Sequence, residues 1–315
     1  MNIVILDAKT LGNDLDISAL NRFGEVTTYQ TTTPEETLDR IKTAKIIITN
    51  KVVITAQMME KTPQLGLICI AATGMNNVDL DAAKNMGIEV KNVAGYSTQS
   101  VVQHTFAMAL YLIEKMAYYD RVVKSGEWTK SALFTDVSHP FFEIAGKRWG
   151  IIGLGSIGQE VAMGATIAFG AKVCYHSTSG KNYGQKYLHV SLEEMMKECD
   201  IISIHCPLNE KTQNLINASN LGLLKDGAIL LNLGRGSIIN EIDLAAELDK
   251  KEIYAGLDVL APEPIVGDNP LMHIKHQERL LITPHIAWTS IEARKKLLEG
   301  ILENIENIYG ETING

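Results

Sequence analysis

Short runs of apolar, mostly β-branched residues alternate with longer amphipathic segments along the chain, and this alternation limits the possible folds more than any other feature. The runs occupy residues 3–6, 44–49, 67–71, 150–153, 172–175, 201–205, 228–231 and 280–283. Strands that alternate with helices in this way pair in parallel and are covered by helices on both faces. The length of 315 residues is near that of two ordinary domains. We therefore predict an α/β fold with two doubly wound parallel-sheet domains.

Three segments predict helices that determine the course of the chain. Residues 33–36 are Thr-Pro-Glu-Glu, a capping box with proline at the first helical position, so a helix should begin there and run toward Thr43. Residues 97–119 carry apolar residues at helical spacing and predict one helix that leaves the first domain and enters the second. Residues 289–309 predict a final helix, which could pack back on the first domain.

Such a return would make the first domain discontinuous. We predict that it comprises residues 1–99 and 289–315, and that residues 100–288 form the second domain. Within the second domain, residues 126–146 form a less regular segment. Its aromatic residues are Trp128, Phe134, Phe141 and Phe142. They would suit a subunit contact if exposed, and burial against their own domain is an equal alternative.

Charge and composition exclude several classes of function. The formal net charge of -8, without a cluster of lysine and arginine, argues against binding of nucleic acid phosphates. The amino terminus lacks a basic start, and no apolar stretch approaches the roughly 20 residues that a membrane helix needs. The spacing of the cysteines fits neither a metal site nor a redox pair. We expect a cytoplasmic protein with reduced cysteines and with no nucleic acid or membrane partner.

A glycine-rich turn, Gly153-Leu154-Gly155-Ser156-Ile157-Gly158, ends one apolar run and opens an amphipathic segment. In this context the first glycine allows a tight turn, the second lets a pyrophosphate approach the backbone, and the third lets helix and strand pack closely. Backbone N–H groups at the start of the helix then bind the anion. We predict that a dinucleotide binds at Gly153, Gly155, Ser156, Ile157 and Gly158.

The next apolar run, residues 172–176, should be followed by an acid that hydrogen-bonds the ribose 2′-hydroxyl of NAD. Ser177 stands there instead, and it is followed by Thr178 and Ser179, with Lys181 close behind. The carboxylate that would repel a 2′-phosphate is therefore missing, and the hydroxyls or the lysine could accept one. No arginine is nearby, and a serine can also hydrogen-bond a ribose hydroxyl. The sequence leaves NAD and NADP as equal alternatives.

Three further motifs place ionisable residues just after apolar strands, where the carboxyl ends of a parallel sheet form the ligand crevice. Arg235 follows one strand and lies between two glycines. Asp258 and Glu263 follow a second strand, and His285 follows a third in the sequence Thr-Pro-His. Each residue alone has an ordinary structural explanation, so only their joint occurrence indicates a site.

These motifs, together with residues 72–79, resemble those of the D-isomer-specific 2-hydroxyacid dehydrogenases over essentially the whole chain. Within that family, four segments resemble glycerate dehydrogenases most, which are also called hydroxypyruvate reductases. These segments are residues 49–51, 94–97, 103–104 and 285–288. The resemblance implies a Rossmann cofactor domain inserted in a flavodoxin-like substrate domain, and a homodimer. It also implies an enzyme that transfers a hydride between NAD or NADP and a small 2-oxo acid to give the D-2-hydroxy acid.

The resemblance implies roles for individual residues as well. Arg235 would bind and polarise the substrate, His285 would be the acid or base, and Glu263 would be the carboxylate partner of that histidine. Thr73 and Gly74 would present backbone amides to the substrate carboxylate. The further cofactor contacts that it implies, besides the glycine turn and Ser177, are Pro207, Thr212, Leu233 and Asp258.

The chemistry of the reaction supports these roles independently. Delivery of a hydride to a 2-oxo acid builds negative charge on the carbonyl oxygen, so the site needs an acid to protonate that oxygen and a fixed cation to polarise it. His285 and Arg235 meet those needs, and arginine also binds a carboxylate through its planar fork. A carboxylate beside the imidazole, Glu263, would favour the imidazolium and select its tautomer.

Two alternative functions stay open. The substrate could be hydroxypyruvate, glyoxylate, pyruvate as in a D-lactate dehydrogenase, a bulkier 2-oxo acid or phosphohydroxypyruvate, because one or two pocket residues decide this preference. A dinucleotide-sensing interaction protein of the same fold is the alternative from a different class.

A few other residues have competing interpretations. The position of His205 at the end of a strand favours a structural role for this residue. His273 and His276 have the spacing of a metal pair, but no third ligand is evident, so no metal site is predicted. Asn50 and Lys51 either reach the substrate or simply end a strand, and the sequence does not favour one alternative over the other.

Overall fold

A computed structural model describes residues 1–182 and 184–314 of the chain. The described residues form two compact units. Unit 1 comprises Met1–Ser97 together with the chain from Thr289 onward, and unit 2 comprises Thr98–Trp288. Gly315, the last residue of the predicted segment 289–315, lies outside the described residues.

Unit 1 is built around a parallel sheet. Its strands are β1 (Asn2–Ile5), β2 (Glu25–Thr28), β3 (Ile46–Thr49), β4 (Leu67–Ile70) and β5 (Glu89–Lys91). They pair in the order β2-β1-β3-β4-β5, which is the flavodoxin-like order. Strands β3 and β4 are buried along their whole length. Their uninterrupted apolar sequence reflects this, because a parallel sheet is covered on both faces.

The helices in the first part of unit 1 begin at side-chain caps. They are α1 (Pro34–Ile41), α2 (Ala56–Glu60) and α3 (Leu80–Asn85). The predicted start of α1 is confirmed, since the backbone N–H of Thr33 donates to Oε2 of Glu36 at 2.9 Å and the helix begins at the proline. Asp79 caps α3 by accepting from the backbone of Ala82 at 3.0 Å.

Unit 2 contains a larger parallel sheet. Its strands are β6 (Arg148–Ile152), β7 (Lys172–His176), β8 (Leu188–His189), β9 (Ile201–Ile204), β10 (Ile229–Asn232), β11 (Tyr254–Leu257) and β12 (Leu280–Ile282). They pair in the order β12-β11-β10-β9-β6-β7-β8. This is the Rossmann order, in which the direction of chain progression reverses between β6 and β9.

The helices of unit 2 are α4 (Thr98–Ile113), α5 (Met116–Lys124), α6 (Ser156–Ile167), α7 (Leu192–Glu198), α8 (Ala218–Leu221) and α9 (Glu241–Lys250). The prediction of one helix over residues 97–119 is wrong, because the chain breaks between α4 and α5. Lys115 adopts a left-handed backbone with φ 53°, and its ammonium group lies 3.4 Å from the centre of the Tyr254 ring. A cation over an aromatic face stabilises this break, and apolar periodicity carries no signal for it.

Apolar side chains cover both faces of the unit 2 sheet. One cluster includes Ile202 and Leu230, and the other includes Ile151 and Leu231. Trp149 lies in the second cluster and is fully buried. Its indole N–H donates to the hydroxyl of Ser203 at 3.0 Å, so the one polar group of this side chain is paired.

The carboxyl-terminal helix α10 (Ile291–Asn314) belongs to unit 1 and packs on β4. Gly300 allows the close approach, since a Cβ there would lie 2.5 Å from the side chain of Val93. Arg294 donates to the carbonyl of Leu11 at 2.9 Å and to the carboxylate of Asp14 at 2.8 Å. Unit 1 is therefore discontinuous in sequence.

Candidate active site

The glycine-rich turn connects β6 to α6 and packs against the end of β9. Gly153 has a left-handed backbone with φ 93°, and a Cβ there would lie 2.6 Å from the backbone nitrogen of Cys206. A Cβ at Gly158 would collide with the carbonyl oxygen of Gly153. At Gly155, by contrast, a Cβ would meet no atom within 4 Å. The amino-terminal end of α6 is therefore open to a ligand, and its N–H groups suit an anion.

A cavity of about 600 Å³ opens beside this turn. Of the predicted cofactor residues, its lining includes Gly153, Gly155, Ser177 and Pro207. The cavity lies where the strand order reverses between β6 and β9, which is the position where sheets of this order bind dinucleotides. Its volume, its position and the exposed helix terminus together fit a dinucleotide.

The cavity has no carboxylate at the end of β7. Ser177 occupies that place, and its hydroxyl oxygen lies 3.4 Å from that of Ser179. Lys181 and Lys211 also line the cavity and lie on different loops. Among the described lining residues, Glu210 is the one with a carboxylate. Hydroxyl and ammonium groups here can bind a 2′-phosphate, and the hydroxyls can also bind a ribose.

The remaining predicted cofactor residues are outside the described lining of the cavity. Thr212 is fully buried, donates to the carbonyl of Pro207 at 2.7 Å and accepts from the backbone of Asn209 at 2.8 Å. It therefore shapes the loop instead of lining the cavity as expected. Leu233 is 8% exposed and packs in the apolar core. Ser156 and Ile157 form the first turn of α6.

Sequence reasoning missed two amide side chains, those of Asn182 and Asn209, which also line the cavity. Asn182 donates to the carbonyl of Leu154 at 2.9 Å, so it ties the loop after β7 to the glycine turn. Both residues lie in loops outside any motif. A polar residue in a loop has no local signal for this role, since the fold alone brings it to the cavity.

His285 and Glu263 form a hydrogen-bonded pair on two loops of unit 2. Nδ1 of His285 lies 2.7 Å from Oε2 of Glu263, and Oε1 of the same carboxylate accepts from the backbone of Leu260 at 3.0 Å. Because a carboxylate only accepts, the histidine donates from Nδ1, and Nε2 can give a proton to a ligand or take one. The backbone of Leu260 packs against Gly236, the residue after Arg235.

Asp258 holds the backbone on both sides of His285. Its Oδ1 accepts from the backbone N–H of Ile286 at 2.8 Å, and its Oδ2 accepts from that of Ala287 at 3.0 Å. The N–H of His285 donates to the carbonyl of Asp258 at 2.9 Å. His285 has φ 54°, a left-handed conformation that costs free energy in a residue other than glycine. The surrounding hydrogen bonds therefore hold the loop in a conformation it would not adopt alone.

Hydrogen bonds also keep Asp258 ionised. Burial raises the pKa of this carboxyl, which is 2% exposed. Hydrogen bonds from the side chains of His104 and Thr283 and from the backbone outweigh burial and lower the pKa below its usual value. The carboxylate thus accepts hydrogen bonds from several donors within unit 2. The contact of Asp258 with the cofactor stays a prediction.

Arg235 follows β10 and is half-buried. The amide of Asn232 shapes its turn, since Nδ2 donates to the carbonyl of Arg235 at 2.9 Å and Oδ1 accepts from the backbone of Gly234 at 3.0 Å. The guanidinium donates to the carbonyl of Gly234 at 2.8 Å, and among the described residues no carboxylate lies within ion-pair distance of it. A half-buried arginine without an acidic partner favours an anionic ligand.

Thr73 and Gly74 follow β4 in unit 1. The side chain of Asn92 donates to the carbonyl of Thr73 at 2.5 Å, and the hydroxyl of Thr73 donates to the carbonyl of Val93 at 3.3 Å. Within the described residues, the backbone N–H of neither Thr73 nor Gly74 donates a hydrogen bond. These two adjacent amides are therefore able to bind a carboxylate.

Asn50 and Lys51 have a structural role at the end of β3. Their backbone N–H groups donate to the carboxylate of Asp7 at 2.9 Å and 2.7 Å. Asn50 is 4% exposed, whereas Lys51 lines a second cavity of about 550 Å³ in unit 1. The alternative that either side chain reaches the substrate stays a prediction.

His205 lies at the base of the dinucleotide cavity. The residue belongs to the cavity lining, yet both ring nitrogens are buried and have no hydrogen-bond partner among the described residues. Burial lowers the pKa of His205 to about 3, so its imidazole is neutral at physiological pH. Burial also raises the pKa of the neighbouring Cys206 thiol to about 11, which makes this cysteine a poor nucleophile.

The two histidines with metal-like spacing are occupied by other partners. His273 lies 2.9 Å from the carbonyl of Gly267, and His276 lies 3.2 Å from the carboxylate of Glu278. Across residues 1–182 and 184–314, no group of three or more His, Cys, Asp or Glu residues could hold a metal ion.

The chain is similar over most of its length to known proteins of one family. Residues 106–287 match the family described as D-isomer specific 2-hydroxyacid dehydrogenase, NAD binding domain. The chain is 38% identical to a hydroxypyruvate reductase of Blautia hydrogenotrophica, over 100% of this chain and 99% of that protein. It is 36% identical to a glycerate dehydrogenase of Methylorubrum extorquens, over 96% of this chain and 95% of that protein. A solved acyclic imino acid reductase, in complex with NADPH and D-arginine, is 32% identical, with a TM-score of 0.86 and coverage of 99% of this chain and 98% of that one.

We predict that His205 makes unit 2 less stable in mild acid. The unfolded chain protonates this imidazole below about pH 6.5, whereas burial lowers its pKa to about 3 in the folded chain. The free energy of unfolding should therefore fall as the pH drops from 6.5 toward 4, by at most about 1.4 kcal/mol per pH unit. Urea unfolding at pH 7 and pH 5 should show a smaller loss for His205→Asn than for the wild type. The exposed His139→Asn is the matched control, and an equal pH dependence in all three proteins would contradict the prediction.

Proposed function

Because the chain belongs to the D-isomer specific 2-hydroxyacid dehydrogenase family, we propose that it transfers a hydride between a nicotinamide dinucleotide and a small 2-oxo acid, giving the D-2-hydroxy acid. Hydroxypyruvate and glyoxylate are the expected substrates, since relatives at 38% and 35% identity are named hydroxypyruvate reductase and glyoxylate reductase. The observation that carries the proposal is the half-buried Arg235, which lacks an acidic partner among the described residues. It lies in the same unit as the His285–Glu263 pair and the dinucleotide cavity.

The dinucleotide supplies or takes up the hydride when it is bound. In reduction, His285 as imidazolium gives the proton on Nε2 to the carbonyl oxygen, where negative charge develops. Glu263, 2.7 Å from Nδ1, stabilises the imidazolium before transfer and keeps the ring oriented afterwards. Arg235 stays charged and donates to the same oxygen or to the substrate carboxylate. In oxidation the neutral His285 accepts the hydroxyl proton.

The substrate carboxylate also needs donors. We assign this role to the backbone N–H groups of Thr73 and Gly74, which make no hydrogen bond within the described residues. Backbone amides bind a carboxylate without adding a charge, so they orient the acid while the guanidinium remains available for the carbonyl oxygen.

For the cofactor we propose that NADP binds at least as well as NAD. Ser177 replaces the acid that would repel a 2′-phosphate, and Lys181 and Lys211 line the same cavity. The solved relative at 32% identity is in complex with NADPH. NAD keeps support from the family description and from the ability of Ser177 to bind a ribose hydroxyl.

Two alternatives are separated by one assay. A preference for pyruvate would make the protein a D-lactate dehydrogenase, and a dinucleotide sensor would bind cofactor without turnover. A panel of 2-oxo acids is assayed with NADH and NADPH, and oxidation of the reduced nicotinamide is followed by absorbance. The proposal requires turnover of hydroxypyruvate or glyoxylate. Tight dinucleotide binding without turnover of any acid would favour the sensor.

The catalytic assignment predicts large losses of turnover in two variants. His285→Ala removes the proton donor and should lower kcat by a factor of about 100 to 10,000, as expected for a positioned acid. Arg235→Ala removes the cation that faces the developing charge and should be similarly impaired. Both variants should retain the circular dichroism spectrum of the wild type.

The exposed His273→Ala serves as the control and should keep wild-type kinetics. Near-normal reduction by both His285→Ala and Arg235→Ala would remove the mechanism, whereas loss of activity in the control would point to a general effect on folding.

Cofactor preference should respond to a charge at residue 177. In Ser177→Asp the carboxylate repels a 2′-phosphate, so the KM for NADPH should rise relative to that for NADH by roughly tenfold or more. Ser177→Asn introduces a side chain of the size of aspartate without its charge, and it should change the ratio of the two KM values much less. An unchanged ratio of the two KM values in Ser177→Asp would contradict the placement of the 2′-phosphate.

We also propose that the chain forms a homodimer through residues 131–142. These residues are largely without regular structure, and their exposed apolar side chains are Leu133, Phe134, Val137 and Phe141. Phe142, in contrast, packs against the core of its own unit. Contiguous exposed apolar side chains of this kind favour a protein interface.

Phe134→Asp should weaken this dimer, because Phe134 is 90% exposed in the single chain and a carboxylate would be buried in the interface. Sedimentation velocity should show monomer at micromolar concentration for the variant and dimer for the wild type. Ile242→Asp, at an exposed apolar position on α9 that is 69% exposed, is the control and should sediment like the wild type. A dimer of unchanged affinity in Phe134→Asp would place the interface elsewhere.

Reduced cysteines agree with a cytoplasmic location, which we propose on the family resemblance. Cys69, Cys174, Cys199 and Cys206 are all buried and form no disulfide in the described structure. In the described residues, none of the helices has both the length and the apolar character needed to cross a membrane.

A further inference from the structure

Helix α4 contacts the loop of His285 on both sides of that histidine. The hydroxyl of Ser100 donates to the carbonyl of Ala287 at 2.6 Å, and Nε2 of His104 lies 3.1 Å from the hydroxyl of Thr283. Ser100 and His104 are one helical turn apart and share a face of α4. Two polar contacts from one helix thus bracket the residue that we assign as acid and base.

The chemistry of the groups assigns the direction of these hydrogen bonds. The ionised Asp258 only accepts, and the hydroxyl of Thr283 lies 2.6 Å from its Oδ1, so the threonine gives its one proton to the carboxylate. The hydroxyl oxygen can then only accept from His104, which therefore carries a proton on Nε2. The same nitrogen lies 3.5 Å from Oδ1 of Asp258. His104 thus supports the carboxylate directly and through Thr283.

The orientation of Asp258 decides the backbone geometry at His285. Its two oxygens bind the N–H groups of Ile286 and Ala287 at 2.8 Å and 3.0 Å. If the carboxylate turned, both N–H groups would lose their partner, and the left-handed backbone of His285, with φ 54°, would be free to relax. A relaxed backbone would move Nε2 of His285 away from the substrate.

We propose that His104 is a positioning residue for the reaction, which holds Thr283 and Asp258 in the orientation that fixes the backbone of His285. Glu263 orients the ring of the same histidine, so ring and backbone are held by separate carboxylates. The inference rests on the proposed function, because it assumes that His285 transfers the proton. His104 and Thr283 are outside the described lining of the dinucleotide cavity, so neither side chain should contact the cofactor itself.

The first test replaces His104, whose side chain is 19% exposed. His104→Leu keeps much of the volume but has no donor, and kcat should fall by roughly tenfold to a hundredfold, as expected for a small misplacement of a catalytic group. The Kd for the dinucleotide, measured by fluorescence, should change much less than kcat. His104→Gln places an amide donor near the position of Nε2 and should recover most of kcat. Gln103→Leu, at an exposed neighbour on α4, is the control and should keep the wild-type kcat.

The second test asks whether His104 acts through Thr283. Thr283→Val has nearly the same shape and breaks the connection while His104 remains. If the two residues act in one chain, the double variant His104→Leu/Thr283→Val should lose no more kcat than the more impaired single variant. Independent packing effects would instead multiply the two losses.

Three results would overturn the inference: an unchanged kcat in His104→Leu, no recovery in His104→Gln, or multiplicative losses in the double variant. Absence of turnover in the wild type would instead overturn the proposed function. In that case the inference is still tested by NMR of protein with labelled histidine. The signal of His285, identified by its loss in His285→Ala, should shift in His104→Leu and stay in place in Gln103→Leu. An unshifted signal in His104→Leu would overturn the inference by itself.

Discussion

The parallel direction of all strands in unit 2 is the constraint on which the site depends. Because parallel strands share one carboxyl edge, every loop that follows a strand opens at that edge. The strand order reverses between β6 and β9, so the connections leave the sheet in opposite directions and a crevice remains between their loops. The backbone of Cys206 fills the space where a side chain at residue 153 would project, and glycine is required there. Topology and a missing side chain together expose the first turn of α6.

Two carboxylates hold different parts of His285, one the ring and the other the backbone. Glu263 is partly exposed and contacts the ring, where it can respond to the protonation state of the imidazole. Asp258 is buried, and its donors among the described residues belong to unit 2, so it acts on the backbone and stays ionised. The left-handed backbone of His285 costs free energy, and the two carboxylates restrain its ring and its backbone separately. Arg235 differs from both, since it has no acidic partner among the described residues and can use its charge on a ligand.

Much of the fold and part of the site could be predicted from local patterns. The eight apolar runs coincide with β1, β3, β4, β6, β7, β9, β10 and β12. The capping box at Thr33 marks the start of α1. Both signals depend on neighbours in the sequence. The break at Lys115 could not be predicted, since the Tyr254 ring that stabilises it comes from a distant strand. Thr212 was expected at the cavity surface and is buried outside its described lining. The sequence favours a structural role for His205, and the fold also brings this residue into the lining of the dinucleotide cavity.

By itself the sequence determined the two parallel-sheet domains, the glycine turn, the missing acid at Ser177 and the residue types needed for hydride and proton transfer. These features are local, because periodicity, turn chemistry and side-chain type are properties of consecutive residues. Only the tertiary structure decided which groups touch His285. The contacts of His104, Thr283 and Asp258 join residues far apart in the chain, and hydrogen bonds act only over about 3 Å. A pattern of neighbouring residues cannot show which distant residues come that close.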